Sequence, residues 1–447
     1  MLSAFANAFK TPDLRKKILF TLLILAVFRL GSTIPTPNVN LENIHACQLQ
    51  ASSGDSAGLY SMINLFSGGA LLQLAIFALG IMPYITSSII LQLLTVVIPR
   101  LEKLKKEGGA GQQKITQYSR YLTIVLAIMQ SPAFTTLAVN GQLFQGCDRP
   151  VVYDGSIFPI VVMILTMTAG TGIIMWMGEL ITERGIGNGM SVMIFTQVAA
   201  QFPTQMWGIA LGKGTDPNNP NMPNGAGWTA FAIVLIVGLL VMAGVIFMEQ
   251  AQRRIPVQYA KRMVGRRLVG GTTTYIPLKV NQAGVIPIIF ASSMLYLPML
   301  YAQFQPENPA SSWIAKNLSG SGSPWYNIIY FVLIIFFAYF YVAITFDPVE
   351  VADNMKKYGG FIPGIRAGRP TEKYLAYVLS RLTAPGSLYL GLISLLPAFA
   401  WIALGEAASR KFPFGGTSIL IIVGVGLDTV KQIESQLQQR NYEGFLR

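Results

Sequence analysis

Long apolar stretches dominate the chain, and short segments rich in charged and turn-forming residues separate them. A membrane-spanning helix needs about 20 mostly apolar residues, because it must cross roughly 30 Å of hydrocarbon. Ten stretches meet this requirement, with the approximate bounds Ile18–Ile34, Leu74–Ile98, Tyr118–Val139, Phe158–Gly178, Gly189–Ala210, Trp228–Met248, Asn281–Gln303, Trp325–Phe346, Tyr374–Leu396 and Gly415–Gln436. The pattern predicts an all-α integral membrane protein with ten transmembrane helices.

Composition and charge agree with this prediction. Of the 447 residues, 52% are hydrophobic and 12% are charged, which is far too apolar for a soluble globular domain. The net charge of +13 suits an anionic lipid surface or the phosphates of a nucleic acid. Most of the 33 Lys and Arg residues fall in segments on the same side as the amino terminus. By the positive-inside rule, both termini of this multi-pass chain are predicted to be cytosolic.

Ten spans divide into two halves of five, residues 1–210 and residues 211–447. An odd number of spans in each half makes the second half start from the opposite side of the membrane, so the halves are predicted to be inverted and pseudo-symmetric. One apolar segment, Ser61–Leu71, is too short to span before its Gly68-Gly69 break. It is predicted to be a short re-entrant helix that lines an external funnel, and an interfacial helix on the outer leaflet is the alternative.

The spans carry few charged groups, which bears on the class of function. Ion-coupled transporters ordinarily have ionisable residues deep in their spans, whereas here the acidic residues lie mostly at span ends and the only histidine, His45, lies in an external loop. A secondary small-solute transporter is therefore the alternative reading, not the first. An intramembrane aspartyl protease would need paired aspartates, and the positions of Asp154 and Asp428 do not fit that class. The chain also lacks a Gly-Lys-Ser/Thr phosphate-binding loop, so an ATP-driven motor must be a separate protein. For the chain itself we expect no enzymatic activity and no cofactor.

Six motifs along the chain resemble the SecY family, the channel subunits of the bacterial Sec protein translocon. In chain order they are Asn64–Leu71, Ala78–Ile85, Ile181–Gly189, Pro277–Asn281 with Gly284–Pro287, Phe361–Gly368 and Phe414–Ser418. The resemblance implies a channel in the cytoplasmic membrane of a bacterium. Such a channel translocates unfolded secretory polypeptides across the membrane and releases membrane-protein segments sideways into it.

The resemblance also implies a plug and a constriction. The plug would comprise Ser61, Met62, Ile63, Asn64, Leu65, Phe66, Ser67, Gly68 and Gly69, and the pore ring would comprise Ile81, Ile85, Met190, Ile194, Ile289 and Ile421. Apolar walls at a narrow point disfavour water and ions without binding a passing segment strongly. Met190 departs from the branched aliphatic residue that is usual in the family.

A lateral gate is implied between the second and third spans on one side and the seventh and eighth on the other. Gln92 and Asn281 would face it. Hydrogen bonds between polar groups across such a seam contribute about 0.6 kcal/mol each, which is weak enough for a signal peptide to displace them. The alternative is that each amide only satisfies a nearby backbone group.

The basic residues of two cytosolic loops, 249–279 and 347–373, are implied to dock the SecA ATPase or the ribosome. They are Arg253, Arg254, Lys261, Arg262, Arg266, Arg267 and Arg366. Plain positive-inside charge is the alternative for any one of them. The other partners implied are the small membrane subunits SecE and SecG, an insertase and accessory export proteins, signal peptides and unfolded substrate polypeptides, and anionic lipids.

The chain has two cysteines, Cys47 and Cys147, and the topology puts both on the external side. An oxidising environment there permits a disulfide between the first and second external loops. Bridging requires the two Cα atoms to approach within about 7 Å, which the sequence does not establish. The disulfide is therefore a hypothesis.

Overall fold

The computed structural model describes residues 9, 11–51, 68–141, 147, 149–210, 228–259, 262–264, 267–269, 273–304, 308–318, 323–396 and 416–445. Its helices are α1 (Pro12–Gly31), α2 (Leu41–Ala51), α3 (Met82–Val97), α4 (Pro99–Lys106), α5 (Gly109–Val139), α6 (Ile157–Arg184), α7 (Gly189–Ala210), α8 (Trp228–Gln250), α9 (Ile286–Phe304), α10 (Pro309–Leu318), α11 (Pro324–Thr345), α12 (Pro348–Lys357), α13 (Arg369–Ser394) and α14 (Gly416–Phe445). Each of the ten predicted spans overlaps one of these helices, namely α1, α3, α5, α6, α7, α8, α9, α11, α13 and α14.

Length and apolar composition set some of these helices apart. Within the described residues, α5, α6, most of α8, and α11 with α12 are each long and apolar enough to cross a membrane. The pair α3 and α4 meets the same test together, although it is bent by 100° at the break between them. Proline stands in the first turn of α3, α4, α11, α12 and α13, where the helix requires no backbone donor.

The second span is shorter than the sequence predicted. Leu74–Ile98 was expected to be one helix, but residues 68–81 form a chain of turns and α3 begins only at Met82. Gly80 has φ +58°, a backbone conformation that glycine adopts without strain and that interrupts a helix. Pro83 stands in the first turn of α3 and does not bend the helix there. The proline therefore marks where the helix starts.

The predicted loop 249–279 contains a small antiparallel sheet. Its strands are β1 (Gln252–Tyr259), β2 (Arg262–Val264), β3 (Arg267–Val269) and β4 (Thr273–Lys279), and β5 (Gly360–Phe361) comes from the predicted loop 347–373. The sheet order is β4-β1-β5, with Gln252 opposite Lys279 and Gln258 opposite Phe361, while β2 and β3 form a separate hairpin. The two loops are thus joined by strand pairing.

This sheet packs on the helices that follow it. Ile255 and Val257 of β1 and Leu278 of β4 are buried in one apolar cluster with Met355 of α12 and Leu375 of α13. The alternation of buried and exposed residues along β1 is the period-2 pattern of a half-buried strand. We call β1, β4, β5, α12 and the start of α13 the cytosolic unit, after the side on which the positive-inside rule places it.

Each predicted half contributes an apolar core. In the first, buried residues of α2, the turns 68–79, α5 and α6 form one cluster that includes Ile44, Leu74 and Met163. In the second, buried residues of α8, α9, α11, α13 and α14 form another that includes Ile288 and Ile419. The division at residue 210 stays a prediction, and a third cluster contains residues from both sides of it.

Candidate functional site

The third cluster contains residues from both predicted halves, and we call it the central cluster. Its buried residues come from α1, the turns before α3, and α3, α6, α7, α9 and α14; they are Ile24, Phe28, Phe77, Ile81, Ile85, Ile174, Met177, Ile181, Met193, Ile194, Val198, Ile289 and Ile421. Both predicted halves therefore supply walls to one apolar centre.

All six predicted ring residues lie in or against the central cluster. Ile81, Ile85, Ile194, Ile289 and Ile421 are buried, and Met190 is partly buried against them. Met190 and Ile194 are four residues apart and lie on one face of α7. Ile81 is the N-cap residue of α3, and its carbonyl accepts a hydrogen bond from the Ile85 backbone at 3.1 Å. Ile289 and Ile421 lie near the starts of α9 and α14. The structure thus brings together residues that the sequence separates by up to 340 positions.

A close approach between α6 and α7 fixes the position of Met190. A β-carbon placed on Gly178 would lie 2.6 Å from the Met190 sulfur, so the thioether occupies the space that a side chain there would need. Methionine is flexible and polarizable, and it fills irregular gaps that a branched residue leaves empty. This contact explains how the methionine side chain is accommodated at position 190.

The turns before α3 contact α1 and the residues after it on one side, and α6 on the other. Thr36 and Ile76 donate backbone hydrogen bonds to the carbonyls of Leu74 and Ile34, each at 2.9 Å. The rings of Phe28 and Phe77 stack with centroids 5.8 Å apart. On the other side, Gly170 of α6 lies against the carbonyl oxygen of Ile76 so closely that a β-carbon would overlap it. These contacts fix Ile81 at the edge of the central cluster.

Most of the predicted plug, Ser61–Ser67, lies outside the described residues, and its last two glycines lie within them. Gly68 and Gly69 both have positive φ, +63° and +92°. Arg29 of α1 donates a hydrogen bond from Nη1 to the Gly68 carbonyl at 3.0 Å. The side chain of Gln197 in α7 lies beside Gly68, and in the described structure its buried amide has no hydrogen-bond partner.

Arg29 lies within the predicted span Ile18–Ile34, and the sequence predicted no role for it. An ionisable residue inside a membrane is costly and usually functional, and that signal was available. Its contact with Gly68 became visible only in the structure, since 39 residues separate the two. Gln197 gave no comparable signal, because an amide near the middle of α7 fits several packing roles.

The two predicted gate residues occupy different environments. Gln92 is exposed on α3, whereas Asn281 is buried just before α9. The Asn281 amide donates to the Glu249 carboxylate and to the Gly284 carbonyl, and within the described residues no hydrogen bond joins it to Gln92. The helices α3 and α9 do contact each other, at the seam where the gate is predicted.

Three of the predicted docking residues lie on the cytosolic unit or directly beside it. Arg253 and Arg254 are exposed on β1, and Arg366 is exposed in the loop before α13, where its carbonyl accepts a hydrogen bond from the Thr371 hydroxyl at 2.8 Å. Arg262 and Arg267 belong to the β2–β3 hairpin, and Lys261 and Arg266 lie outside the described residues. The described arginines Arg253, Arg254 and Arg366 thus belong to two loops that the sheet joins.

Cys47 and Cys147 form a disulfide in the structure, with Cα atoms 5.5 Å apart. Around it, Val39 pairs with Val152, and the Asn43 side chain donates to the Pro150 carbonyl at 2.7 Å. We call α2 and residues 149–156 the external cap. The bond therefore lies within a pairing that already joins the first two external loops.

The two aspartates weighed for a protease lie in unrelated settings. Asp428 of α14 lies 3.6 Å from Lys279 at the base of the sheet. Asp154 accepts hydrogen bonds from the backbone and hydroxyl of Ser156 in the external cap. Each carboxylate thus has its own structural partner, and Asp428 lies in the interior of α14 and not at its end.

The sequence model of the SecY family matches residues 75–430 of the chain. The chain belongs to the SecY family. It is 63% identical over 450 residues to the protein translocase subunit SecY of Streptomyces galbus, with both chains covered completely. The resemblance to the SecY family that the motifs predicted is confirmed.

Solved structures of SecY-like channels share the fold. One, described as the structure of a protein conducting channel, is similar with a TM-score of 0.61 and 19% identity, over 94% of this chain and 91% of that one. Another, Sec61 in the canine ribosome-channel complex from the endoplasmic reticulum, is similar with a TM-score of 0.56 and 18% identity, over the same shares of the two chains. The predicted helical membrane fold is therefore confirmed.

Proposed function

We propose that the chain is the protein-conducting channel of a bacterial cytoplasmic membrane, which passes unfolded polypeptides outward and releases membrane segments sideways. The central cluster carries this proposal, because six residues from α3, α7, α9 and α14 and the turn before α3 meet there. Membership of the SecY family supports it, since relatives across the whole chain are named as protein translocase subunits. A secondary small-solute transporter has no such support.

An apolar constriction built from the two proposed halves explains two properties of the channel. It is closed to water and ions at rest, and it accepts polypeptides of varied sequence. Aliphatic side chains exclude water and ions at a narrow point, and they form no hydrogen bonds that would hold a passing chain. The seam between α3 and α9 is the proposed lateral gate, where a hydrophobic segment leaves toward lipid. Gln92 and Asn281 flank that seam in the proposal.

The energy for transport comes from partners in this proposal, and the chain performs no covalent chemistry. The exposed arginines Arg253, Arg254 and Arg366 offer positive charge to the SecA ATPase or to ribosomal RNA. The similarity to a channel solved on a ribosome supports such docking. SecE, SecG, an insertase and accessory export proteins complete the assembly, anionic lipids surround it, and both termini are cytosolic.

Crosslinking of a stalled substrate tests the function. We expect a photoreactive probe at Ile289 to capture a secretory chain stalled in vesicles that contain the channel, SecE, SecG, SecA and ATP. A probe at Ile288 is the matched control, because that neighbour is fully buried in the core of the second half and not in the central cluster. Equal capture at the two positions, or uptake of a small solute without protein export, would contradict the proposal.

The contact between Arg29 and Gly68 predicts that Arg29 helps to keep the resting channel closed to ions. Replacing Arg29 with leucine removes the hydrogen bond to the last part of the proposed plug, so we expect the resting ion conductance of planar bilayers to rise several-fold. The matched control is Arg381→Leu, which removes the other arginine within a span. Arg381 lies over the Tyr377 ring on the outside of α13, and its loss should leave the conductance unchanged. Equal leak from both variants would show that the loss of charge, and not the contact with Gly68, matters.

A further inference from the structure

A buried polar contact joins the base of the cytosolic unit to the start of α9. Asn281, which follows β4, is 3% exposed, and Glu249, near the end of α8, is 8% exposed. The side-chain amide of Asn281 donates a hydrogen bond to Oε1 of Glu249. A buried carboxylate is destabilising unless it is hydrogen-bonded, so this contact offsets the cost of burying Glu249. We call the pair the Glu249–Asn281 clamp.

The same asparagine also fixes the backbone that leads into α9. Its Nδ2 donates to the Gly284 carbonyl at 3.2 Å, and its Oδ1 accepts from the Gly284 backbone at 3.1 Å. Gly284 has φ +61°, so without these bonds the backbone there has unusual freedom. On the opposite side, α13 approaches so closely that a β-carbon on Gly386 would lie 2.5 Å from the Val280 carbonyl oxygen. Residues 280–285 are therefore a short, stiffened connection.

The cytosolic unit is attached firmly to this connection. β1 follows α8 after the single residue Ala251, and the Val280 backbone donates to the Ala251 carbonyl at 3.0 Å, which extends the β1–β4 ladder to its base. The inner face of the two strands is buried against α12 and α13. A displacement of the unit therefore moves both members of the clamp together.

We propose that Glu249 and Asn281 are positioning residues that transmit a displacement of the cytosolic unit to α9, and through α9 to Ile289 in the central cluster. This inference rests on the proposed function, because a docked partner supplies the displacement. Ile289 lies eight residues after Asn281, and α9 also contacts α3 at the proposed gate. Without the clamp, the connection bends at Gly284 and absorbs the movement before it reaches the constriction.

Exchange of donor and acceptor tests this coupling. Asn281→Asp sets two carboxylates against each other but keeps an acceptor for the Gly284 backbone. Adding Glu249→Gln restores a hydrogen bond, because the new amide at 249 donates to the new carboxylate at 281. In vesicles with SecE and SecG, we expect Asn281→Asp to lower export driven by SecA and ATP about tenfold, within the usual range for coupling between two sites. The double variant should regain most of this export.

Binding and two further variants separate transmission from docking and from folding. The Kd of SecA for the vesicles should be the same for the unsubstituted, single and double variants, since the exposed arginines are untouched. Glu249→Ala removes the other member of the clamp but keeps the Asn281 bonds to Gly284. It should also lower export driven by SecA and ATP. Asp428→Asn is the matched control, because it removes a nearby acidic partner from an exposed ion pair with Lys279, and such pairs contribute little.

Three results would overturn the inference. They are normal export by Asn281→Asp, a double variant no better than the single variant, and a loss of SecA binding that parallels the loss of export. If the unsubstituted channel exports nothing with SecA and ATP, the proposed function itself fails and the inference fails with it. The two failures are distinguishable. Failure of the proposed function shows in the unsubstituted channel, whereas failure of the inference alone shows only in the variants.

Discussion

Replacing Ile421 with aspartate is expected to make the resting channel conduct ions. Ile421 is 1% exposed in the central cluster, which contains residues from both predicted halves. An unpaired charge in such a place costs several kcal/mol after relaxation, and entry of water is the cheapest way to solvate it. Hydration of the proposed constriction removes the apolar barrier to ions. Conductance of planar bilayers without a partner or substrate measures the effect, and Ile194→Asp should act in the same way.

The same helix offers a control of equal burial. Ile419 is 0% exposed and lies two residues away, but it packs in the core of the second half. Ile419→Asp should lower the free energy of unfolding as much as Ile421→Asp does, without comparable ion leak. If both variants leak equally, general loosening of α14 explains the result and Ile421 does not belong to the constriction. A volume-conserving Ile421→Leu should stay closed, because it keeps the wall apolar.

Loss of the disulfide is expected to be the largest single change in stability outside the central cluster. Cys47 and Cys147 are 100 residues apart, and closing a loop of that length stabilises the folded state by about 4.7 kcal/mol in the chain-entropy model. Replacing both cysteines with serine should therefore lower the Tm of the purified protein in detergent by several degrees. Most of the loss should arise in the external cap, where the bond lies.

A reducing agent provides the internal control for the disulfide. Reduction of the unsubstituted protein should lower its Tm to nearly that of the double serine variant, and the variant itself should not respond. Either single substitution should have the effect of the double one, because one missing sulfur already removes the bond. An unreduced protein in which mass spectrometry finds both thiols free would reject the bond altogether.

The spans and the pore-ring residues could be predicted from the sequence for different reasons. Each span shows as a run of about 20 apolar residues, a property of the chain alone. The ring residues were named from family resemblance, because an isoleucine four residues from another looks like ordinary helix packing. The structure adds that all six lie in or against one cluster. Their role as a channel constriction stays a proposal.

Other features depended on contacts that no local pattern records. The turns before α3 were taken for helix because residues 74–81 are as apolar as the helix that follows, and only Gly80 signalled a break. The sheet was not predicted, because the short alternation of Ile255 and Val257 with exposed neighbours stands among many basic residues, which are typical of a loop. Glu249, the partner of Asn281, lies 32 residues earlier, and the paired strands β1 and β4 between them were not predicted.

The bend between α3 and α4 restricts how the proposed gate can move. α4 carries four exposed cations, Arg100, Lys103, Lys105 and Lys106, immediately after the 100° turn. An outward slide of α3 along its own axis would draw these cations into hydrocarbon, where each costs about 2.5–3.5 kcal/mol on insertion scales. A swing of α3 within the membrane plane leaves them at the headgroups. The bend thus opposes piston motion of α3, and sideways motion remains the route of low energy.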